Sequence, residues 1–252
     1  MIRVTVWNEY VHEREYEGIA KVYPKGIHGC IADFLGVEDD ITVTCATLDM
    51  VNQGISEKLL KNTDVLIWWS HARQEDITDE NVKLIQNNVL QGMGFIGLHS
   101  AHFSKPMKAL LGTSMTLKWR NDDSEKLWCT APYHPIAQGI DSCIDIPTEE
   151  MYGEFFDIPK PDDVVFTGWF KGGEVFRSGC CWHRGKGKVF YFRPGHEAFP
   201  IYYQPEIQQV IVNAVKWATP IDFPPVTYGN PPAIMEVHGK LEHSIQGLHQ
   251  PK

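Results

Sequence analysis

Five of the eleven histidines in this 252-residue chain fall where metal chemistry is readily assembled. His71 follows the apolar run Asp64–Trp69, and His99 follows Gly94–Leu98. His196 follows Lys188–Phe192 after the turn Arg193-Pro194-Gly195. His12 lies just past the first apolar run, and His28 near the start of the first regular helix. Neutral imidazole is the commonest metal ligand, and zinc takes three or four nitrogen, sulfur or oxygen donors. A lone histidine at a strand end is more often a hydrogen-bonded structural residue. Several converging on one sheet edge favour a shared site. The expected zinc ligands are His71, His99 and His196, with His102, His28 and His12 as alternates. His102 follows His99 by three residues, so both can share one face of a helix's first turn.

Other residues frame this pattern. Glu9, Glu154 and Glu197 are candidates for general acid or base, each also readable as a surface carboxylate or helix cap. Gly97-Leu98-His99-Ser100-Ala101 has the strand, sharp turn and helix order of a nucleophile elbow. The elbow position holds His99 where a cysteine or serine nucleophile would sit, and Ser100 is one residue off with no assigned base. Covalent amidase chemistry is therefore disfavoured. His134, in Tyr-His-Pro-Ile, is expected to organise a turn, and His183 to be a satisfied core residue within a strand. His238, His243 and His249 lie in a tail and are expected to be solvated.

These residues need a scaffold that brings strand ends together. Ile2–Trp7, Ile41–Ala46, Asp64–Trp69 and Gly94–Leu98 are short, nearly continuous apolar runs, as in strands buried on both faces. Helical patterns lie between them. Gly18–Leu35 is broken by Pro24 and Gly26, so its regular part starts near Ile27. Ser56–Lys61 is a short helix. Thr78 caps a helix through Leu90 that Gly92 ends. Such alternation predicts an α/β, flavodoxin-like fold: a mainly parallel central sheet with helices on both faces. In such sheets ligands bind outside the carboxyl ends of the strands. Beyond Gly112, Leu127–Thr130, Val164–Trp169, Glu174–Trp182 and Lys188–Phe192 read as strands. Gly172-Gly173 and Gly185-Lys186-Gly187 are turns between antiparallel neighbours. Ile207–Trp217 closes the domain, expected over residues 1–219. Residues 220–252 carry six prolines and read as an extended arm, expected to pack on a second subunit as a homo-oligomer contact.

Composition narrows the partners. Net charge is −9, with 43% apolar and 22% charged residues and no basic block. That argues against nucleic acid and anionic membranes as partners. No run approaches the roughly 18 apolar residues of a membrane span. The N-terminus enters a strand pattern with no signal-peptide features. Cys30, Cys45, Cys129, Cys143, Cys180 and Cys181 form no C-x-x-C pair and read as reduced, which makes the cytoplasm the default location.

Longer motifs add a family. Val6–Glu9 (Val-Trp-Asn-Glu), Tyr23–Gly29 (Tyr-Pro-Lys-Gly-Ile-His-Gly), Gly97–Ser100 (Gly-Leu-His-Ser), Glu150–Glu154 (Glu-Met-Tyr-Gly-Glu) and Phe192–Glu197 (Phe-Arg-Pro-Gly-His-Glu) resemble the trehalose-utilisation, or ThuA-like, family over about residues 1–219. The resemblance implies a fold similar to class I glutamine amidotransferases. It puts His99 in the nucleophilic cysteine's place, and His196-Glu197 resembles the His-x-Glu pair with its spacer lost. It also implies a keto-sugar substrate, because members occur with sugar oxidoreductases. The leading expectation is then a metal-assisted enzyme acting on a carbohydrate or keto-sugar. Arg193 and Arg177 would bind sugar hydroxyls, and Trp69, Trp119 and Tyr152 would stack on a sugar face. Two alternatives stay open: a non-catalytic sugar-binding or regulatory protein, and a metal-free hydrolase using histidine and glutamate. Metal content separates the first reading from the hydrolase, and turnover separates it from the binding protein.

Overall fold

Nine segments form strands in the computed structural model, which describes residues 1–222 together with 229, 232, 233 and 235. In chain order they are β1 (Ile2–Asn8), β2 (Ile41–Thr47), β3 (Val65–Trp69), β4 (Gly94–Leu98), β5 (Lys118–Cys129), β6 (Cys143–Gly153), β7 (Asp163–Phe170), β8 (Val175–Arg184) and β9 (Gly187–Phe192). Among the described residues they make one sheet in the order β2-β1-β3-β4-β9-β8-β7-β5-β6. Pairing is parallel from β2 to β9 and antiparallel from β9 to β6. The helices are α1 (His12–Glu15), α2 (Glu17–Val22), α3 (Gly26–Leu35), α4 (Glu57–Lys61), α5 (Asp79–Gln91), α6 (Lys105–Leu111) and α7 (Pro205–Ala218).

Strand alternation splits the core into two layers. Val4, Val6, Ile67, Trp69, Ile96 and Leu98 pack with Ile27 and Ile31 of α3 and Val210 and Ala214 of α7. Trp7, Leu66, Trp68 and Phe95 pack with Ile85 and Val89 of α5 and Met107 and Leu110 of α6. Every residue of β3 and β4 is buried, which explains their unbroken apolarity. Local signals hold as well. The Thr78 side chain accepts the Asn81 N–H, and Gly92 ends α5 with φ +132°. The His134 side chain accepts the Ile136 N–H and so caps a short turn. The flavodoxin-like α/β expectation is met, with two differences. β5 begins nine residues before the expected Leu127, and β6, marked only by the short alternation Ile144-Asp145-Ile146, was not among the expected strands. His183 is not a core residue: it is exposed on β8 and bonded to Asp162. No described helix is long and apolar enough to cross a membrane. The chain divides into two compact units, Met1–Ile221 and Asp222–Lys252. The expected packing of the arm on a second subunit, and the three tail histidines, lie outside the described residues.

Candidate active site at the strand ends

Strand register decides where the site lies. Asn8, Trp69, Leu98 and Phe192 are partners in one row across β1, β3, β4 and β9. The residues that follow them therefore emerge side by side at the carboxyl edge. His71, His99 and His196 meet there. Their ring centroids are 6.1 Å apart for His71 and His99, 5.4 Å for His71 and His196, and 5.3 Å for His99 and His196. Three imidazoles around one ion, with Zn–N bonds of about 2.0–2.1 Å, need spacing of this order.

His99 is the pivot. It has φ +50° and opens the turn His99–Phe103 directly after β4, so the elbow exists. A left-handed non-glycine residue costs on the order of 1–3 kcal/mol and persists only where its surroundings over-determine it. Here Nδ1 donates to the Arg193 carbonyl at 2.9 Å, the Tyr191 hydroxyl donates to the His99 carbonyl at 3.0 Å, and the Tyr152 ring stacks on the imidazole at 5.1 Å. With Nδ1 donating, a neutral His99 presents its Nε2 lone pair to Glu150 Oε2, 3.1 Å away. Two lone pairs repel at that distance, so a proton or a cation belongs between them. Oε2 is buried and has no other hydrogen-bond partner. Burial disfavours the Glu150 carboxylate, but His99, with His196 and His71 nearby, holds its pKa below the ordinary value.

A second cluster supports the first. His71 Nδ1 donates to Glu197 Oε1 at 2.7 Å, and His12 Nδ1 bonds the same oxygen. A carboxylate on one imidazole nitrogen fixes the tautomer and aims the other nitrogen at a metal. Burial opposes ionisation of Glu197, yet these two hydrogen bonds hold its pKa far below the carboxylate range. The hydrogen bond to Glu197 raises the pKa of His12. At His71 burial acts against charge, but Glu197 outweighs it and the pKa is raised. His196 moves the opposite way, lowered first by burial and then by His99. His196 Nδ1 accepts the Ala198 N–H at 3.1 Å, so its Nε2 carries the proton when the ring is neutral. Donor atoms of His99, Glu150 and His196 lie within 4.8 Å of one another, as do those of His12, His71 and Glu197.

Buried charge holds the far wall. Arg193 is fully buried and bonds the Glu125 carboxylate and, at 2.9 Å, the Glu150 carbonyl. Glu149 lies 3.6 Å from the same guanidinium and accepts the Gly195 and His196 N–H groups. This cluster ties β6 to the turn that carries His196 and Glu197. In front of it a cavity of about 520 Å³ runs from His71 and Glu197 to an apolar rim of Tyr16, Phe103, Leu117 and Trp119. A larger cavity of about 660 Å³ lies beyond Glu9, but its arginines are already paired, Arg14 with Asp49 and Arg73 with Asp76. His12, His71, His196, Glu150 and Glu197 all line the smaller one.

A family model described as ThuA, trehalose utilisation, matches residues 3–218. The chain belongs to the ThuA family. Membership implies a role in trehalose utilisation. Solved structures share the fold. A ThuA-like protein from Bacteroides uniformis superposes with TM-score 0.62 at 14% identity, over 86% of this chain and 91% of that one. A cytoplasmic protein from Salmonella typhimurium gives 0.61 at 13% identity, over 87% and 100%. A ThuA-like protein from Parabacteroides merdae gives 0.60 at 10% identity, over 89% and 93%. No curated protein matches the sequence.

Within this ThuA fold several expected site residues serve the scaffold instead. Glu9 is buried and accepts the N–H groups of His71, Ala72 and Arg73, so its oxygens are committed to the loop after β3. Glu154 is locked to Arg177, which also bonds the Phe156 carbonyl, and neither lines the main cavity. Arg193 is sealed among carboxylates and cannot reach a sugar. Trp69 is fully buried and donates to the Gly195 carbonyl. His28 bonds Asn8 and packs on Tyr10, away from both clusters. His102 lines the cavity, but its Nδ1 is tied to the Met115 carbonyl at 2.7 Å and its ring is set among Phe103, Tyr152, Phe156 and Tyr191. Burial pushes its pKa down to about 3. Trp119, 63% exposed, and Tyr152 do line the cavity. Glu150 and the Glu125–Arg193–Glu149 cluster went unnoticed in the sequence; the adjacent pair Glu149-Glu150 before Met151-Tyr152 was the available hint.

Proposed function

We propose that this protein is a metal-assisted enzyme acting on a carbohydrate or keto-sugar in disaccharide utilisation. The observation that carries the reading is the buried Glu150 oxygen facing His99 Nε2 at 3.1 Å inside a triangle of imidazoles. A ring nitrogen and a carboxylate oxygen this close together form a donor set that suits zinc. His71 and His99 would hold the ion through Nε2, with Glu150 as the anionic donor, while the His196 Nε2–H would be left to donate to a substrate oxygen. The ion supplies Lewis acidity to a sugar carbonyl or hydroxyl oxygen.

The chain's own groups do the rest. Glu197 and the Arg193 carbonyl hold the His71 and His99 tautomers by accepting from Nδ1. The Tyr152 hydroxyl, 3.0 Å from Ser100 Oγ and 3.4 Å from His99 Nε2, is placed to donate to a substrate oxygen. Trp119 offers an exposed face for the C–H side of a sugar ring. The metal-free hydrolase is the weaker reading, because the Glu197 oxygen that meets His12 and His71 already accepts from both and makes a poor base. All six cysteines are unpaired, which supports a reducing, cytoplasmic setting. The test is elemental analysis of the purified protein, with turnover of a keto-disaccharide before and after chelation. Stoichiometric zinc and chelator-sensitive turnover are expected. Turnover that survives complete removal of metal sinks the proposal.

A further inference from the structure

The cavity at the strand ends has two lobes. Beyond the larger one, a lobe of about 170 Å³ is bounded by Asn121, Asp122, Ala198 and Phe199. Asn121, Glu150 and His196 line both lobes. The reactive groups therefore stand at a junction, with room on either side, and not at the end of a blind pocket.

A β-bulge builds the small lobe. β5 pairs with β6 at Arg120 opposite Met151 and again at Asp123 opposite Glu149. Two residues, Asn121 and Asp122, thus oppose the single residue Glu150. Asp122 takes φ +59°, a conformation aspartate tolerates better than most residues. Bulges re-aim side chains beside active sites. Both side chains are exposed, and neither makes a hydrogen bond or ion pair with any described residue. Two unpartnered polar groups are thus turned into a cavity beside the one carboxylate that faces His99.

We propose that the small lobe is a second sugar subsite, so that the protein takes a two-ring glycoside whose linkage lies over Glu150 and His196. This rests on the carbohydrate reading above. The Asp122 carboxylate accepts from two neighbouring ring hydroxyls, and the Asn121 amide both donates and accepts. Phe199 supplies an apolar surface for ring C–H groups. At about 170 Å³ against about 520 Å³, the lobe is about a third the size of the main cavity, which suits it to the smaller part of a ligand.

The test is calorimetric titration of the zinc-supplemented protein with glucose and with trehalose. Trehalose is expected to bind at least tenfold more tightly. In the variant Asp122→Gly, which alters only the small lobe, that preference falls to within threefold, while glucose affinity holds. Glycine at 122 accepts the positive φ, and Asp122→Asn serves if that variant melts early, with a partial loss of the preference expected. A preference that survives the substitutions, or a parallel loss of glucose binding, overturns the subsite. Equal binding of both sugars to the unmodified protein overturns the subsite alone. Failure of both sugars to bind overturns the carbohydrate reading with it.

Discussion

At the carboxyl ends of β1, β3, β4 and β9 the functional side chains are placed by register, whereas on β6 they are placed by buried charge. In the parallel half, one row of hydrogen-bonded partners lines up the origins of His12, His71, His99 and His196. In the antiparallel half, Arg193 lies 3.6 Å from the Glu149 carboxylate and donates to the Glu150 carbonyl, which ties both residues to the turn that carries His196. Topology fixes the rings without polar burial, while the anionic wall depends on a cation supplied from the other half. The two halves should therefore fail differently when altered.

The largest difference concerns stability. Arg193→Leu leaves Glu125 and Glu149 buried without their cation and is expected to cost about 3–5 kcal/mol. His99→Ala keeps a Cβ at φ +50° and leaves the Arg193 carbonyl without its donor, for an expected cost of about 1–3 kcal/mol. Urea denaturation of both variants checks this, and equal losses would break the contrast between halves.

Metal binding comes next. Deleting a ring, as in His71→Ala or His99→Ala, is expected to weaken zinc binding about 100-fold, or ~2.8 kcal/mol. Glu150→Gln keeps the shape and removes the charge, with a loss of about tenfold to 100-fold. Competition against a chelating dye measures all three. If the Gln variant binds like the unmodified protein, β6 is only a wall.

Acid sharpens the comparison further. His102 is buried neutral where the halves meet, with a pKa of about 3 in the fold against about 6.5 in an unfolded chain. The unfolded state therefore binds the extra proton, and stability falls as pH drops from about 6.5 toward 3. His12 and His71 run oppositely: their raised values stabilise the fold below about 6.5, and that contribution fades as pH rises through their folded values. Denaturation midpoints from pH 4 to 8 should show a shallower acid slope in His102→Gln than in the unmodified protein. An unchanged slope assigns the acid sensitivity elsewhere.

The smallest effect belongs to the rim. Trp119→Ala should raise KM about threefold to tenfold, near 0.5–1.5 kcal/mol, with kcat unchanged. A fall in kcat instead would place Trp119 in the reacting geometry and not at a stacking platform.

The same division governs what the sequence discloses. Val65–Trp69 and Gly94–Leu98 are buried on both faces, so their composition names them as parallel strands, and the histidines after them follow. β6 carries Pro147 and two adjacent glutamates, both buried, which cut short the alternation begun at Ile144-Asp145-Ile146. Charged residues default to the surface, so buried ones such as Glu149, Glu150 and Arg193 cannot be anticipated one at a time. Arg193 was legible as important but not as structural, because its partners come from 43 to 68 residues away. Glu9 misleads for a related reason: its three partners are backbone N–H groups, which carry no sequence signal.

The row of Asn8, Trp69, Leu98 and Phe192 also bears on how such a molecule can change over generations. A residue inserted before the row slips the ladder and swaps the inner and outer faces of that strand. A residue inserted after it only lengthens a loop whose starting point stays anchored. The four contributions are also bonded to one another, Glu9 to the His71 N–H, His99 to the Arg193 carbonyl and Glu197 to His12 and His71, so a change in one is felt by its neighbours. Novelty in a scaffold of this kind accumulates on one side of a single line of hydrogen bonds.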